Sequence, residues 1–164
     1  MKLTPNFQIE EFLPRPLPDR LMENLMDLAA LLERVRVIAG CPIVVHSGWR
    51  TVEHNAAVGG SKTSDHLTGS ASDFHPKPQG GSATWQQATV ALFHRLRTDL
   101  PLGCYGQLIL EDRRDHPTSS ALTIHISIPT VRHPGNAADP DRIMVSYAPG
   151  VYVPWAGDNT GGHA

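Results

Sequence analysis

The sequence predicts an α+β domain, a small, mainly antiparallel sheet flanked by helices. Three observations carry this. Two stretches, 18–39 and 83–100, repeat apolar residues at helical spacing. Short β-branched runs bounded by Gly and Pro lie between and after them. The segments 107–111 and 121–128 flank a polar loop, as the arms of an antiparallel hairpin do. At 164 residues the chain is long enough for one domain with a real core. That domain is placed at 1–155, with 156–164 as a disordered tail.

Taken in order, residues 1–16 read as an extended arm. Phe7, Ile9 and Phe12 can anchor it, and Pro5, Pro14 and Pro16 oppose a helix. From Pro18 to Ala39, Leu21, Leu25, Leu28, Leu32 and Val35 form one apolar helical face, and Gly40 suits the stop. Ile43-Val44-Val45 reads as a buried strand leaving into His46-Ser47-Gly48-Trp49-Arg50. Thr51 can cap a short helix ended by Gly59-Gly60. Ser72 to Phe74 is a second strand. Ser82 can cap the helix 83–100, whose apolar positions include Trp85, Leu92, Phe93 and Leu96. The hairpin strands follow, and 142–147 is a last strand or edge segment.

Composition narrows the function. A net charge of −2 gives no electrostatic case for nucleic acid or an anionic membrane. No apolar run approaches the ~20 residues of a membrane span. The first twelve residues lack the apolar core of a secretory signal, so synthesis in the cytoplasm without export is expected. Cys41 and Cys104 are too few for a disulfide framework, and reduced cysteines are expected. Nine histidines is the one unusual count, and it directs attention to metal chemistry.

The stretch Ser61 to His75 holds His66 and Asp73 seven positions apart, with Leu67 and then only small residues between them. Gly, Ser and Thr disfavour a helix there and suit a tight turn into a strand. Imidazole nitrogen and carboxylate oxygen are both zinc ligands. A third ligand comes from the strand ALTIHISI. Leu122, Ile124, Ile126 and Ile128 share its apolar face, so His125 points away from the core. Two histidines and an aspartate with one position left for water is the catalytic zinc pattern. On the partner strand, Leu108 and Leu110 belong to the core and Glu111 faces the side of His125. A carboxylate there is placed to act as general base. Arg50 offers a guanidinium for a substrate carboxylate or a developing oxyanion. His75 shares the face of Asp73 and is a candidate fourth ligand or outer partner. His46 and His54 are outer or surface residues, and His94, His116, His133 and His163 are read as bystanders.

The runs SGWRT (47–51), HNAAVGG (54–60), SKTSDHLTGSASDF (61–74), QLILE (107–111) and IHIS (124–127) resemble the zinc D-Ala-D-Ala carboxypeptidase family. That family includes D-alanyl-D-alanine dipeptidases and several phage endolysins, and it shares its fold with the Hedgehog signalling domain. Ser64, His66, Gly69, Ala71 and Asp73 supply its S-x-H-x-x-G-x-A-x-D pattern, and His125 with Ser127 a later H-x-S. The lead-in LTPNFQIEEF is similar to the phage and prophage branch. The resemblance implies zinc held by His66, Asp73 and His125. It implies Arg50 at substrate or transition state, and Ser64, Ser127 and Trp49 around them. Trp49 stands where the family usually has tyrosine. Many members carry a glutamate three residues before the last histidine, and Leu122 stands there. Glu111 is the upstream carboxylate that best matches the phage-type branch, with Asp112 and Asp115 behind it. The implied activity is hydrolysis of a peptidoglycan stem peptide, at D-Ala-D-Ala or at an L-Ala-D-Glu type bond. The protein is expected to be monomeric and to reach the wall by lysis or as a phage or prophage component. The competing expectation is an inactive, zinc-stabilised module that binds peptidoglycan or serves a phage structure.

Overall fold

A computed structural model describes residues 1–12, 18, 21–80, 83–115, 121–135, 142–148 and 151–155. Among these residues three α-helices, α1 (Met22–Ala39), α2 (Val52–Ala57) and α3 (Trp85–Asp99), accompany six strands. The strands are β1 (Ile43–Ser47), β2 (Ala71–Pro76), β3 (Leu108–Asp112), β4 (Leu122–Ser127), β5 (Ile143–Ala148) and β6 (Val151–Pro154). They form one sheet in the order β1-β2-β4-β3-β5-β6. Every pairing is antiparallel except β3 with β5, which is parallel. The expected fold class and the β3–β4 hairpin both hold.

The sheet has two unlike faces because side chains alternate along each strand. Phe74, Leu108, Leu110, Leu122, Ile124 and Ile126 present the apolar face. Leu25, Leu28, Leu32 and Val35 of α1 and Leu92, Phe93 and Leu96 of α3 join them in one buried cluster. Phe7 and Phe12 of the N-terminal arm enter the same cluster, their ring centroids 5.8 Å apart. The arm is less extended than expected. It carries a 3-10 turn at Ile9–Glu11, where the Gln8 backbone N–H donates to the Glu11 carboxylate.

Other boundaries also moved. Helix α1 begins at Met22, after a turn in which the Leu21 N–H donates to the Pro18 carbonyl. Thr84 caps α3 in place of Ser82, which lies outside the described residues. Its hydroxyl accepts from the Gln87 N–H, and the Gln87 side chain accepts from the Thr84 N–H. That reciprocal pair satisfies two orphan donors at once, so Thr84 wins. The segment 142–147 is an inner strand, and β6 was not anticipated. The tail expected at 156–164 lies outside the described residues. Cys41 and Cys104 are unbridged, as expected. Among the described residues no helix is long and apolar enough to cross a membrane.

Candidate metal centre

The polar face of the sheet gathers the predicted ligands through its register. Asp73 in β2 lies directly opposite His125 in β4. Cross-strand partners share a face, so both side chains leave the sheet on the side away from the core. His66 arrives from a 3-10 turn at Asp65–Thr68. Ser64 opens that turn, its hydroxyl accepting from the His66 N–H, and so supports a ligand without facing it. Gly69 closes the turn at φ 70°, a left-handed conformation that β-carbon-bearing residues resist, and the chain then reverses into β2. The backbone N–H of Arg50 donates to the His66 carbonyl at 3.0 Å and ties the turn to the end of β1.

Three donor atoms meet there. His66 Nε2 lies 3.1 Å from Asp73 Oδ1, His125 Nδ1 lies 2.9 Å from the same oxygen, and the two ring nitrogens are 3.2 Å apart. All three residues are buried. The His66 Nδ1–H donates to the Gly48 carbonyl at 2.6 Å. With that proton committed, a neutral His66 directs a bare Nε2 lone pair toward the carboxylate. Electron-rich atoms facing one another at these distances call for a positive charge among them, a proton or a metal ion. The residues therefore fit a metal ion, and the Gly48 bond is the outer contact that fixes a ligand's tautomer.

The electrostatics agree. Burial works against the Asp73 carboxylate, yet the two histidines beside it, His66 and His125, hold it well below the usual carboxylate range. Burial pushes His66 down toward its neutral form. Burial also opposes a charged His125, but hydrogen bonding to Asp73 and the Asp73 and Glu111 charges raise it above the ordinary histidine value. Arg50 donates through Nη2 to Asp73 Oδ2 and through Nε to Ser47 Oγ at 2.8 Å. It holds the carboxylate oxygen left over by the cluster.

Glu111 pairs across the sheet with Thr123, two residues before His125, and so shares the polar face. Arg113 donates to its Oε1 at 2.9 Å and Thr123 to its Oε2 at 3.3 Å. Burial, then the charge of Asp73, raises its pKa above the ordinary glutamate value. Two cavities open beside the cluster. One of about 470 Å³ reaches Asp73, Glu111, His75, Trp85 and Leu122. The other, about 190 Å³, reaches His66, His125, Ile109, Met144 and Arg132.

Other candidates fall outside this group. Ser127 is fully buried, and its hydroxyl accepts from the Gln107 N–H at 2.9 Å, supporting the start of β3. Trp49 lines neither of these two cavities but borders a third, of about 810 Å³, with Ser47 and Arg50, and its backbone N–H donates to the Phe12 carbonyl at 3.1 Å. His75 bonds His46 and packs at a tilt against Trp85 with centroids 5.0 Å apart, so it is not a fourth member of the cluster. His133, read as a bystander, is buried and lines the second cavity.

The family model for peptidase M15 matches residues 7–100. The chain belongs to the peptidase M15 family. Members are zinc peptidases, and the cluster His66, Asp73 and His125 is compatible with that metal. The match includes Arg50, His66 and Asp73 and ends before Glu111 and His125. Those two rest on the sheet register. Among curated proteins, none matches the chain.

Sequence reasoning missed Gly48, Arg113, Thr123 and Tyr152. Gly48 acts through a backbone carbonyl, which no side-chain pattern reports. A β-carbon there would lie 2.7 Å from Phe12 Cβ and 2.7 Å from the Phe12 carbonyl oxygen. Gly48→Ala is expected to destabilise the fold by about 1–3 kcal/mol through overpacking. By displacing the His66 acceptor it should also weaken zinc binding about 10- to 100-fold. Thermal melting of the metal-free protein and a competitive zinc titration separate the two effects.

Proposed function

We propose that the chain is a zinc metallopeptidase hydrolysing a peptide bond in peptidoglycan stem peptides. The observation that carries this is the convergence of His66, Asp73 and His125 on one point beside Glu111, in a member of a zinc peptidase family. Bound zinc supplies a Lewis acid that polarises a carbonyl and acidifies water. Glu111 accepts the proton of the attacking water and delivers it to the leaving amine. Its raised pKa suits both halves of that task, since a base poised nearer neutrality also serves as the acid. Arg113 and Thr123 fix its two oxygens. Arg50 orients Asp73 and offers its cationic charge to the substrate side of the cavity it lines.

The bond cut is D-Ala-D-Ala or an L-Ala-D-Glu type bond, and cavities on both sides of the cluster leave room for substrate in either direction. Residues 3–12 and their likeness to the phage and prophage branch support action on the wall after lysis or as part of a phage particle. Leu122, where many relatives carry glutamate, favours the second reading of a zinc-stabilised module that binds peptidoglycan without turnover. Zinc-loaded protein is incubated with purified peptidoglycan, and new amino termini and free D-alanine are followed. Release of either supports the peptidase. Full zinc content and binding to the wall without release supports the module.

A further inference from the structure

Tyr152 lies in β6, a strand with no assigned role. Its place follows from the register. His125 pairs with Ile109, Ile109 with Met144, and Met144 with Pro154. These residues share the polar face of Asp73, and Tyr152, two positions before Pro154, shares it too. The next row of the sheet runs from Thr123 through Glu111 to Ser146. A register shift between Val145 and Ala148 lies beside that row, where β6 carries Tyr152 across from it.

Four residues border both cavities, namely Arg50, Gly60, Glu111 and Tyr152. A substrate crossing from one cavity to the other passes these four. Three of them have limits as donors to it. Gly60 brings no side chain, Glu111 is the acceptor, and Arg50 commits Nε to Ser47 and an Nη2 hydrogen to Asp73 Oδ2, leaving its remaining N–H groups to serve the substrate alongside Tyr152. The Tyr152 hydroxyl makes no hydrogen bond among the described residues, and the residue is 37% exposed. We infer that Tyr152 is a catalytic residue whose hydroxyl donates a hydrogen bond to the oxygen of the peptide carbonyl under attack. This rests on the peptidase reading above.

The chemistry suits the position. Negative charge accumulates on the carbonyl oxygen as the tetrahedral species forms, and a fixed donor aimed at it lowers the barrier. A neutral phenol provides that donor without competing with the ligands for a cation. Burial and the Glu111 charge push the Tyr152 phenol up, so it keeps its proton through the neutral range. The donor stays a donor throughout turnover.

The test compares wild type, Tyr152→Phe and Tyr147→Phe, each with zinc content measured. Tyr147 is 59% exposed on β5 and lines neither cavity, so it controls for a generic loss of phenol. Tyr152→Phe is expected to retain zinc and lower kcat about 100- to 1,000-fold, the range for loss of one oxyanion donor, with KM nearly unchanged. Affinity for a phosphinate analogue of the cleaved bond should fall with kcat, because that group imitates the tetrahedral charge. A Tyr152→Phe enzyme within twofold of wild type in both measures overturns the inference. So does a fall in kcat with unchanged phosphinate affinity, which would place the residue behind Glu111 and not on the substrate. A wild type that releases no amine from peptidoglycan removes the peptidase reading itself and this inference with it. The wild-type arm distinguishes that failure from a failure of Tyr152 alone.

Discussion

Glu111→Gln is expected to lower kcat about 10²- to 10⁴-fold, the usual weight of a positioned general base, while zinc content stays at the wild-type level. The substitution keeps the shape of the side chain. The amide oxygen still accepts from Arg113, and the amide nitrogen faces a Thr123 hydroxyl that can accept in its turn. Only the proton acceptor is lost. The fold should tolerate it well, because burial and the Asp73 charge already raise the pKa of Glu111 and so disfavour its charged form. With a folded pKa above the unfolded one, Glu111 contributes stability at low pH, and that contribution is lost as pH rises through the raised value. At neutral pH the Gln variant should therefore melt no lower than wild type. The same shift sets the acid limb of the rate profile. Activity is lost as pH falls through the pKa of Glu111, at a pH above that of an ordinary glutamate, and the variant should lack this limb. Stopped assays of amine release across pH, with zinc measured in parallel, check each point. A variant of full activity removes Glu111 as base. The neighbouring Asp112 is a poor substitute, because it lies on the opposite strand face and is held by Arg114 at 2.6 Å and 2.8 Å.

Why was the centre so largely legible before the fold was known? Strand parity is a local property. The alternation in ALTIHISI places His125 opposite the apolar face whatever else the chain does, and QLILE does the same for Glu111. The turn carrying His66 is local too, with a capping serine at one end and glycine at the other. What the sequence withheld is long-range. Nothing in the residues around Asp73 states that it will sit across from His125, 52 positions away. The parallel pairing of β3 with β5 joins strands that no short turn connects, so the inner position of β5 could not be read locally. Strand β6 is four residues long, follows a Pro-Gly pair and ends in proline, which reads as loop, and Tyr152 was lost with it. Thr84 is a different kind of miss. Gln87 stands three residues after it, so the capping box is there in the sequence, two residues past the Ser82 taken as the cap.

His125→Ala is expected to abolish activity and stoichiometric zinc binding together. Catalytic zinc sites are built on three protein ligands, and this change leaves His66 and Asp73 only. The loss should exceed the about 10- to 100-fold cost of removing an outer partner, as in Gly48→Ala. A second cost falls on the fold. Asp73 is buried and keeps its charge through a hydrogen bond from His125 and the cation of Arg50. Removing one partner of a buried charge destabilises by about 3–5 kcal/mol in general, and Arg50 and His66 should hold the cost toward the lower end here. These two effects come apart when melting is followed with and without added zinc. Wild type should gain about 2.7 kcal/mol at a hundredfold excess of zinc over its dissociation constant, whereas His125→Ala should gain nothing. His75→Ala is the informative control. His75 also lies on β2 two residues from Asp73, but it bonds His46 and stands apart from the ligand cluster. It should keep one zinc per chain and its zinc-dependent rise in melting temperature. If His125→Ala and His66→Ala both retain one zinc per chain, the metal lies elsewhere and the role given to Glu111 falls with it. If the zinc-dependent gain disappears in those two and persists in His75→Ala, the metal is confined to the three side chains that the register of β2 and β4 brings together.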